Sequence, residues 1–400
     1  MKRIGYLLHR FPRVSDTFIR REIRSLQQLG SNVQVISVWT PGELDTTPYI
    51  LSQWSDETHF ILPKPAFYIA RTLVKFLLRY PGRFFRTFQF AVRTSRPGVR
   101  GLIYQLFYFV EAVLAAEILC RDSFDHVHNH IGDQSGTVTM FAAKLAGISY
   151  SISFHGWPVF YDAKNSRIKE KVLGAKFIRS ISHYCSSQLL VFSGIESSSS
   201  LKVIHCGVRL SDYTYSIPRE KVKRILSIVR MVPEKGISFL LNALRMLTER
   251  HYDLELSLAG DGPSKPYLQT LAQELGIHNR VHFLGFLDED QIARELALSD
   301  IFVLPSFVEG VPVSAMEAMA TGVPVVATNV GGTSELVEDG RTGLLVRPAD
   351  SEALASAIAR YIENYSLRLS TAELGRKKVE AEFDVDKECA KLNYYLLNGS

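Results

Sequence analysis

Cysteine is scarce in this 400-residue chain, and the few cysteines are not spaced like a disulfide framework or a zinc site. No Cys-x-x-Cys pair occurs, although structural zinc sites are commonly built from such pairs. This usage of cysteine fits a reducing compartment. We therefore expect a cytoplasmic protein that holds its cysteines unpaired: Cys120, Cys185, Cys206 and Cys389.

A long apolar run without charge is also missing. The N-terminal segment MKRIGYLLHRFP is too short in its apolar part to be a secretory signal. The most apolar stretch covers residues 102–119, but Gln105, Glu111 and Glu117 interrupt it, and such side chains are costly in lipid. We therefore predict no spanning helix. The length indicates about two domains, at roughly 100–200 residues each.

Acidic side chains are absent between residues 61 and 110, a segment with nine basic residues: Lys64, Arg71, Lys75, Arg79, Arg83, Arg86, Arg93, Arg96 and Arg100. These nine exceed the formal net charge of +5, so the rest of the chain is net acidic. The basicity is therefore a local patch. Since no segment resembles a nucleic-acid-binding motif, we expect no nucleic-acid partner.

Two interpretations of this basic segment stay open. Residues 66–79 have the periodicity of a helix, on which Arg71, Lys75 and Arg79 fall on one line. Residues 83–90 then mix arginine with phenylalanine. This composition is typical of a segment that lies on an anionic membrane surface. It is equally typical of a half-buried helix with a basic outer face.

The N-terminal residues predict the start of a parallel α/β sheet. Residues 4–8 and 33–38 are apolar strand candidates. Between them we predict a helix over Asp16–Leu29, with Ser15 as its cap and Gly30 after its end. A strand, a helix and a second strand in this order are typical of a parallel sheet covered by helices.

Histidines alternate along the next strand candidate, residues 124–132. His126, His128 and His130 share one face of this strand, and imidazole is the commonest metal ligand. No carboxylate or cysteine nearby in the sequence completes a ligand set, so we expect no metal there. His155 follows another apolar run, at the kind of strand end where α/β active sites form.

The most informative segment places two glutamates, Glu309 and Glu317, eight residues apart between two apolar runs. This pattern predicts a strand, a turn, a helix and a strand, with Pro312 in the first turn of the helix. The helix N-terminus would leave the carboxyl edge of a parallel sheet, where unpaired amides attract phosphate. Eight residues make a little over two helical turns, so we expect both carboxylates to face one pocket.

The segment Glu309-GVPVSAM-Glu317 resembles the E-x7-E motif of the retaining glycosyltransferases of family 4, which have the GT-B fold. Residues 224–236 resemble a second element of that family, V-G-R-L-x-x-x-K-G. Arg230 and Lys235 match its two cations, and Val229 replaces its usual glycine.

Further segments in the first half of the chain carry the resemblance. Residues 11–18 are similar to the FPxxSETF opening of colanic-acid and amylovoran-type exopolysaccharide glycosyltransferases, with Asp16 where glutamate is usual. His155-Gly156 is similar to the HG or HD step of the family. Residues 202–208 resemble its interdomain segment, with Cys206 where asparagine is frequent.

The resemblance implies an α/β protein of the GT-B class, with two facing Rossmann-like domains and an active site in the cleft. We expect an acceptor domain over residues 1–205, with the basic aromatic segment at about 64–100. A donor domain would span 206–382, and a helix over 383–400 would cross back to the first domain.

The resemblance also implies roles for the charged residues. Arg230 and Lys235 would neutralise the donor diphosphate, and Glu317 would accept hydrogen bonds from the ribose. Glu309 would hold a hydroxyl of the donor sugar, and His155 would lie near the transferred sugar. We expect no cofactor and no metal, because no Asp-x-Asp motif stands in a suitable place. Further donor contacts are expected at Gly310, Val311, Pro312, Val313, Ser314, Gly260 and Gly285.

The implied activity is the transfer of a sugar from a nucleoside diphosphate to a growing, lipid-linked bacterial surface polysaccharide, by a protein attached peripherally to the inner face of the cell membrane. A nucleotide-sugar epimerase or phosphorylase-like enzyme of the same fold is an alternative. Another is a non-catalytic, nucleotide-sugar-binding partner of a polysaccharide assembly complex, which the intact set of charged residues disfavours. A nicotinamide dehydrogenase is disfavoured because the dinucleotide-binding motif G-x-G-x-x-G is incomplete. The candidate sequence begins at Gly260 and has Lys265 in place of the third glycine.

Overall fold

The computed structural model describes residues 2–42, 45–163 and 165–398, without the side chains of residues 157 and 158. Residues 399 and 400, at the end of the expected terminal helix, lie outside this description. The chain divides into two compact units. The first contains the chain up to Ile204 and again from Cys389, and the second spans His205–Glu388.

The first unit is built on a seven-stranded parallel sheet in the order β3-β2-β1-β4-β5-β6-β7. The strands are β1 (Arg3–Arg10), β2 (Asn32–Trp39), β3 (Thr58–Leu62), β4 (His126–His130), β5 (Ser149–Phe154), β6 (Phe177–Ser180) and β7 (Leu201–Val203). The helices are α1 (Thr17–Gln28), α2 (Pro48–Trp54), α3 (Ala66–Arg79), α4 (Pro81–Arg93), α5 (Val99–Arg121), α6 (Gln134–Ala146), α7 (Trp157–Phe160), α8 (Ile168–Gly174) and α9 (His183–Ser193).

The second unit has a six-stranded parallel sheet in the order β10-β9-β8-β11-β12-β13. Its strands are β8 (Arg224–Ile228), β9 (Glu255–Ala259), β10 (Val281–Gly285), β11 (Ile301–Leu304), β12 (Val325–Thr328) and β13 (Leu344–Val346). The remaining helices are α10 (Ile237–Glu249), α11 (Lys265–Glu274), α12 (Glu289–Leu298), α13 (Val313–Thr321), α14 (Thr333–Leu336), α15 (Ser351–Glu363), α16 (Tyr365–Glu382) and α17 (Val385–Asn398). Helix α17 runs into the first unit from Cys389 onward.

Central strands of both sheets are buried on both faces, as parallel sheets require. In β11 the four residues Ile-Phe-Val-Leu are all buried, and an uninterrupted apolar run is the expected sequence for such a strand. Strand β4 departs from this pattern, because its five buried residues are His-Val-His-Asn-His. Buried polar groups need hydrogen-bond partners, so this strand is a place to look for a polar network.

The start of the chain confirms the predicted strand, helix and strand, with one error at the helix start. Helix α1 begins at Thr17, and Asp16, not Ser15, occupies the N-cap position. The Asp16 carboxylate does not cap the helix, because it accepts hydrogen bonds from the backbone N–H and the guanidinium of Arg13. The predicted helix over residues 66–79 is confirmed as α3.

Helix α5 is the one described helix that is long and apolar enough to cross a membrane by length and composition alone, with half of its most apolar window buried. The polar residues that interrupt it have partners within the first unit. Gln105 donates to Thr94 Oγ1 at 3.1 Å, and the indole N–H of Trp39 donates to Glu111 at 3.2 Å. The helix therefore contributes packing contacts to this unit.

Strand order reverses once in each sheet, between β1 and β4 in the first unit and between β8 and β11 in the second. At such a reversal the connecting helices leave on opposite faces, and a crevice opens outside the carboxyl ends of the two strands. The loops that follow these four strands are therefore the natural places for a binding site.

Candidate functional site

In the second unit, the loops after β8 and β11 bring the predicted charged residues to the reversal point. Arg230 and Lys235 follow β8, and Glu309 follows β11. The Phe307 backbone N–H donates to Glu234 O at 2.8 Å, which joins the two loops directly. We call Arg230, Lys235, Glu309 and Glu317 the second-unit site.

Lys235 and Glu309 form an ion pair with 2.6 Å between Nζ and Oε1. Their side chains are 23% and 11% exposed, so the pair is largely screened from water and yet reachable. Arg230 is exposed, and no hydrogen bond or ion pair with another described residue engages its guanidinium. Since Lys235 and Glu309 balance each other, Arg230 is the cation of the loop after β8 that no described side chain pairs.

Glu317 lies on α13 and is only 6% exposed. Its Oε1 accepts a hydrogen bond from the Tyr213 hydroxyl at 2.8 Å. The eight residues from Glu309 to Glu317 do not form two helical turns, because α13 begins at Val313 and Glu309 stands in the preceding loop. Pro312 occupies the N-cap position of α13 and not its first turn.

The residues expected to contact a donor between Gly310 and Ser314 differ in exposure. Val311 and Pro312 are buried, whereas Gly310, Val313 and Ser314 are partly exposed. This segment carries the first amides of α13, which lack partners within the helix. Amides of this kind are favourable neighbours for an anion.

Glycines with positive φ allow the loops of this edge to pack closely. A Cβ on Gly260 (φ +120°) would lie 2.0 Å from Val229 O, and one on Gly331 (φ +54°) would lie 1.9 Å from Glu309 O. Gly260 also donates its N–H to Gly285 O at 2.7 Å. The Glu309 backbone thus rests directly on residue 331, where only glycine fits.

In the first unit, the histidines of β4 belong to a buried hydrogen-bond network and not to an open surface. The ring nitrogens of His126 lie 2.8 and 2.7 Å from the hydroxyls of Ser149 and Ser151. Those of His128 lie 2.6 and 2.8 Å from Ser151 and Ser153. Burial lowers the pKa of His126 to about 3 and the pKa of His128 well below its ordinary value.

His130 connects this strand to the predicted site residue His155. Its Nδ1 lies 2.9 Å from His155 Nε2, and its Nε2 lies 2.9 Å from Glu22 Oε1. Tyr6 also donates to Glu22 Oε1, at 2.9 Å, and Arg179 pairs with Glu22 Oε2. We call these five residues the histidine network.

The prediction from sequence did not include the carboxylate of this network. Glu22 lies on α1, more than one hundred residues from His130, so no carboxylate was expected beside the histidines. The ligand atoms of Glu22, His128 and His130 do lie within 4.8 Å of one another. Each ring nitrogen of the two histidines lies within hydrogen-bond distance of a partner. The absence of a metal at this group stays a prediction.

Comparison with known proteins identifies the family of this chain. Residues 216–378, most of the second unit, match the family model described as glycosyl transferases group 1. The chain is 30% identical over 291 residues to the teichuronic acid biosynthesis glycosyltransferase TuaC of Bacillus subtilis. The matched stretch covers 68% of this chain and 71% of TuaC. It is 24% identical to the amylovoran biosynthesis glycosyltransferase AmsK of Erwinia amylovora, over 96% of both chains.

A solved structure matches both units. HepE of Anabaena, crystallised in complex with UDP, superposes with a TM-score of 0.76 over 99% of both chains, at 21% identity. At this identity the likeness concerns the fold. It agrees with the expected pair of Rossmann-like α/β units, which the two parallel sheets confirm.

We predict that Gly331→Ala destabilises the second unit more than a matched substitution at Gly340. Both glycines have positive φ, at +54° and +71°. An alanine at either position pays roughly 1–2 kcal/mol for the left-handed backbone. Only at Gly331 must the Glu309 carbonyl also move, because the Cβ of Gly340 would meet no heavy atom within 4 Å. Denaturant midpoints of the two variants measure the difference, and equal midpoints would contradict the close contact.

Proposed function

The chain belongs to the glycosyl transferases group 1 family, and from this premise we propose that it moves a sugar from a nucleoside-diphosphate donor to a growing, lipid-linked bacterial surface polysaccharide. The observation that carries the proposal is the second-unit site. Two cations and a helix N-terminus stand at the reversal point of a Rossmann-like sheet, the position where such sheets bind nucleotides. The relatives TuaC and AmsK are named for teichuronic acid and amylovoran biosynthesis, respectively.

The donor chemistry follows from the charges. Negative charge grows on the diphosphate as its bond to the anomeric carbon breaks, and fixed positive groups stabilise that transition state. Arg230, Lys235 and the first amides of α13 supply these groups. In this proposal they take the part that a divalent metal plays elsewhere, so no cofactor is required.

The two glutamates take different parts because their surroundings differ. Glu317 is almost fully buried beside Tyr213 and accepts the ribose hydroxyls, a contact present whenever nucleotide is bound. Glu309 is partly exposed and paired with Lys235. It holds a hydroxyl of the donor sugar and balances the positive charge that develops on the sugar ring.

The first unit holds the acceptor, and His155 contacts the transferred sugar. We assign the enzyme to the retaining glycosyltransferases of family 4, on the E-x7-E segment. In a retaining reaction of this kind the departing phosphate oxygen takes the proton of the acceptor hydroxyl on the same face of the sugar. This proposal therefore needs no separate general base.

Substitutions in the second-unit site test the donor chemistry. We expect Lys235→Ala and Glu309→Gln to lower kcat by about 10²-fold or more, the scale of a lost transition-state interaction. We expect Glu317→Gln to weaken the binding of free UDP or GDP, because its contact exists in every nucleotide-bound state. Nucleoside-diphosphate release from UDP-glucose and GDP-mannose measures turnover, and calorimetry measures affinity.

Lys265→Ala is the matched control, since Lys265, the first residue of α11, also forms an ion pair in the second unit, with Asp261 at 2.9 Å. It should keep both turnover and affinity. Unchanged turnover in folded Lys235→Ala protein would refute the role of this lysine. Loss of nucleotide affinity in Glu309→Gln with full affinity in Glu317→Gln would reverse the two glutamate assignments.

The product should keep the anomeric configuration of the donor. An α-linked nucleotide sugar should give an α-linked product, because attack and departure occur on the same face. Proton NMR of the new linkage reports the configuration directly. A β-linked product from an α-linked donor would place the enzyme outside the retaining class while leaving its transferase activity established.

Exposed apolar and basic side chains of α3, α4 and α5 support attachment to a membrane surface. Large apolar side chains lie open to solvent on these three helices: Phe67, Val74, Leu78, Phe85, Phe88, Val92, Val99, Ile103, Tyr104 and Phe107. Exposed arginines stand among them, including Arg71, Arg79, Arg86 and Arg93. Apolar side chains next to cations match an anionic bilayer, whose surface attracts each nearby cation by about 1 kcal/mol. A lipid-linked acceptor would be met at such a surface.

Not every cation of this segment is available for lipid. Lys75 pairs with Glu117 at 3.0 Å, and Arg83 donates to Ala146 O at 2.8 Å. Attachment should therefore depend on Arg71, Arg79, Arg86 and Arg93. We predict salt-sensitive binding of the wild-type protein to vesicles that contain phosphatidylglycerol, and its loss when these four arginines become glutamine.

A control variant changes four exposed arginines of the second unit, Arg250, Arg294, Arg341 and Arg347, to glutamine, which alters the net charge equally. It should still bind, and both variants should keep donor hydrolysis. Flotation at low and high salt measures binding. If the wild-type protein does not bind anionic vesicles at low salt, the other interpretation is favoured, an ordinary helix with a basic outer face.

A further inference from the structure

We propose that Glu22, acting through His130, fixes which ring nitrogen of His155 carries the proton and holds that ring in place for the donor sugar. The inference rests on the proposed function, in which His155 contacts the transferred sugar. Glu22 and His130 are then positioning residues, because they act on His155 and not on substrate.

The connection between the three side chains is continuous, with Glu22 and His130 buried and His155 partly exposed. Glu22 comes from α1, His130 ends β4, and His155 follows β5. Both ring nitrogens of His130 are engaged at 2.9 Å, one by Glu22 Oε1 and the other by His155 Nε2. The His130 side chain is fully buried, so water does not compete for these contacts.

The direction of each hydrogen bond follows from the charge of Glu22. Burial favours the neutral acid, but the Arg179 guanidinium and the hydrogen bond from His130 outweigh it and hold the pKa of Glu22 well below its usual range. The side chain is therefore a carboxylate, which can only accept. The proton of His130 in this contact must then lie on Nε2.

The remaining nitrogen of His130 fixes His155. Glu22 and Arg179 already balance each other, and an additional buried cation would be costly, so in this proposal His130 carries a single proton, at Nε2, and none at Nδ1. Nδ1 must accept, and the donor is His155 Nε2–H. Burial lowers the pKa of His155 well below its ordinary value, so this ring is also neutral, with its lone pair on Nδ1. At Nδ1 the ring accepts hydrogen bonds and does not donate them.

Ring contacts restrain the orientation as well. The Phe18 ring centroid lies 4.9 Å from that of His155, and the His130 ring stacks at 5.1 Å. Stability of the fold does not by itself call for these polar groups, because apolar replacements of similar shape are often as stable as a buried ion pair. A ring held in one tautomer and one orientation is, in contrast, what a contact to a reacting sugar requires.

Nitrogen NMR of protein labelled in its histidine rings tests the inference without any turnover. The His155 signals are assigned by their absence in His155→Gln. We expect a protonated Nε2 and an unprotonated Nδ1 throughout about pH 5 to 8, where an unperturbed imidazole titrates. In His130→Phe the Nε2–H loses its acceptor, and we expect His155 to shift to the other tautomer or to a mixture.

Two further variants separate positioning from folding. In His130→Gln the amide can donate to Glu22 and its oxygen can accept from His155, so the wild-type tautomer should be retained. His128→Phe makes the matched change on the same strand, at a histidine bonded to Ser151 and Ser153, and should leave His155 unchanged. A wild-type His155 signal in His130→Phe, or an altered one in His130→Gln, overturns the inference.

Turnover then distinguishes this inference from the proposed function. His130→Phe should lower kcat by about tenfold or more, as when a metal-binding histidine loses its orienting partner, and His130→Gln should restore it. In a His155→Gln background, His130→Phe should have no further effect on kcat. If His130→Phe changes the tautomer of His155 but neither His130→Phe nor His155→Gln changes kcat, the sugar contact of His155 is refuted. The positioning by Glu22 and His130 then stands.

Discussion

The reversal of strand order in a parallel sheet is the constraint on which both units depend. Because the crossovers on either side of the reversal lie on opposite faces, the loops after β8 and β11 meet with no helix between them. Those loops carry Lys235 and Glu309, which are seventy-four residues apart in sequence and 2.6 Å apart in space. The same rule in the first sheet places the end of β4, with His130, beside β1 and β5.

The ion pairs of the two units differ in their exposure to solvent. In the second unit Lys235 and Glu309 are partly exposed, so a ligand can reach them and exchange one partner for another. In the first unit Glu22 and Arg179 are sealed in the core, where removal of one partner leaves an uncompensated charge. The exposed pair is suited to bind and release a charged substrate. The buried pair is suited to hold neighbouring rings in one protonation state.

Local patterns were sufficient for much of the structure. Apolar runs and periodicity predicted β1, α1, β2 and α3, and the glutamate segment was correctly divided into β11, a loop, α13 and β12. The errors lie where tertiary contacts compete with local ones. Asp16 turns to Arg13 and does not cap α1, and Glu309 belongs to a loop that packs on Gly331, so the spacing to Glu317 is not helical.

The sequence by itself determined the α/β class, the repeated strand and helix order, the glycosyltransferase resemblance and the absence of acidic residues around the basic segment, because each is a property of neighbouring residues. Only the tertiary structure decided which distant groups meet. It brought Glu22 and Arg179 to the histidines of β4, paired Lys235 with Glu309 and engaged Arg83 at the end of α6 while leaving Arg71 and Arg86 exposed. These contacts join residues that are far apart along the chain, and no local pattern encodes such a distance.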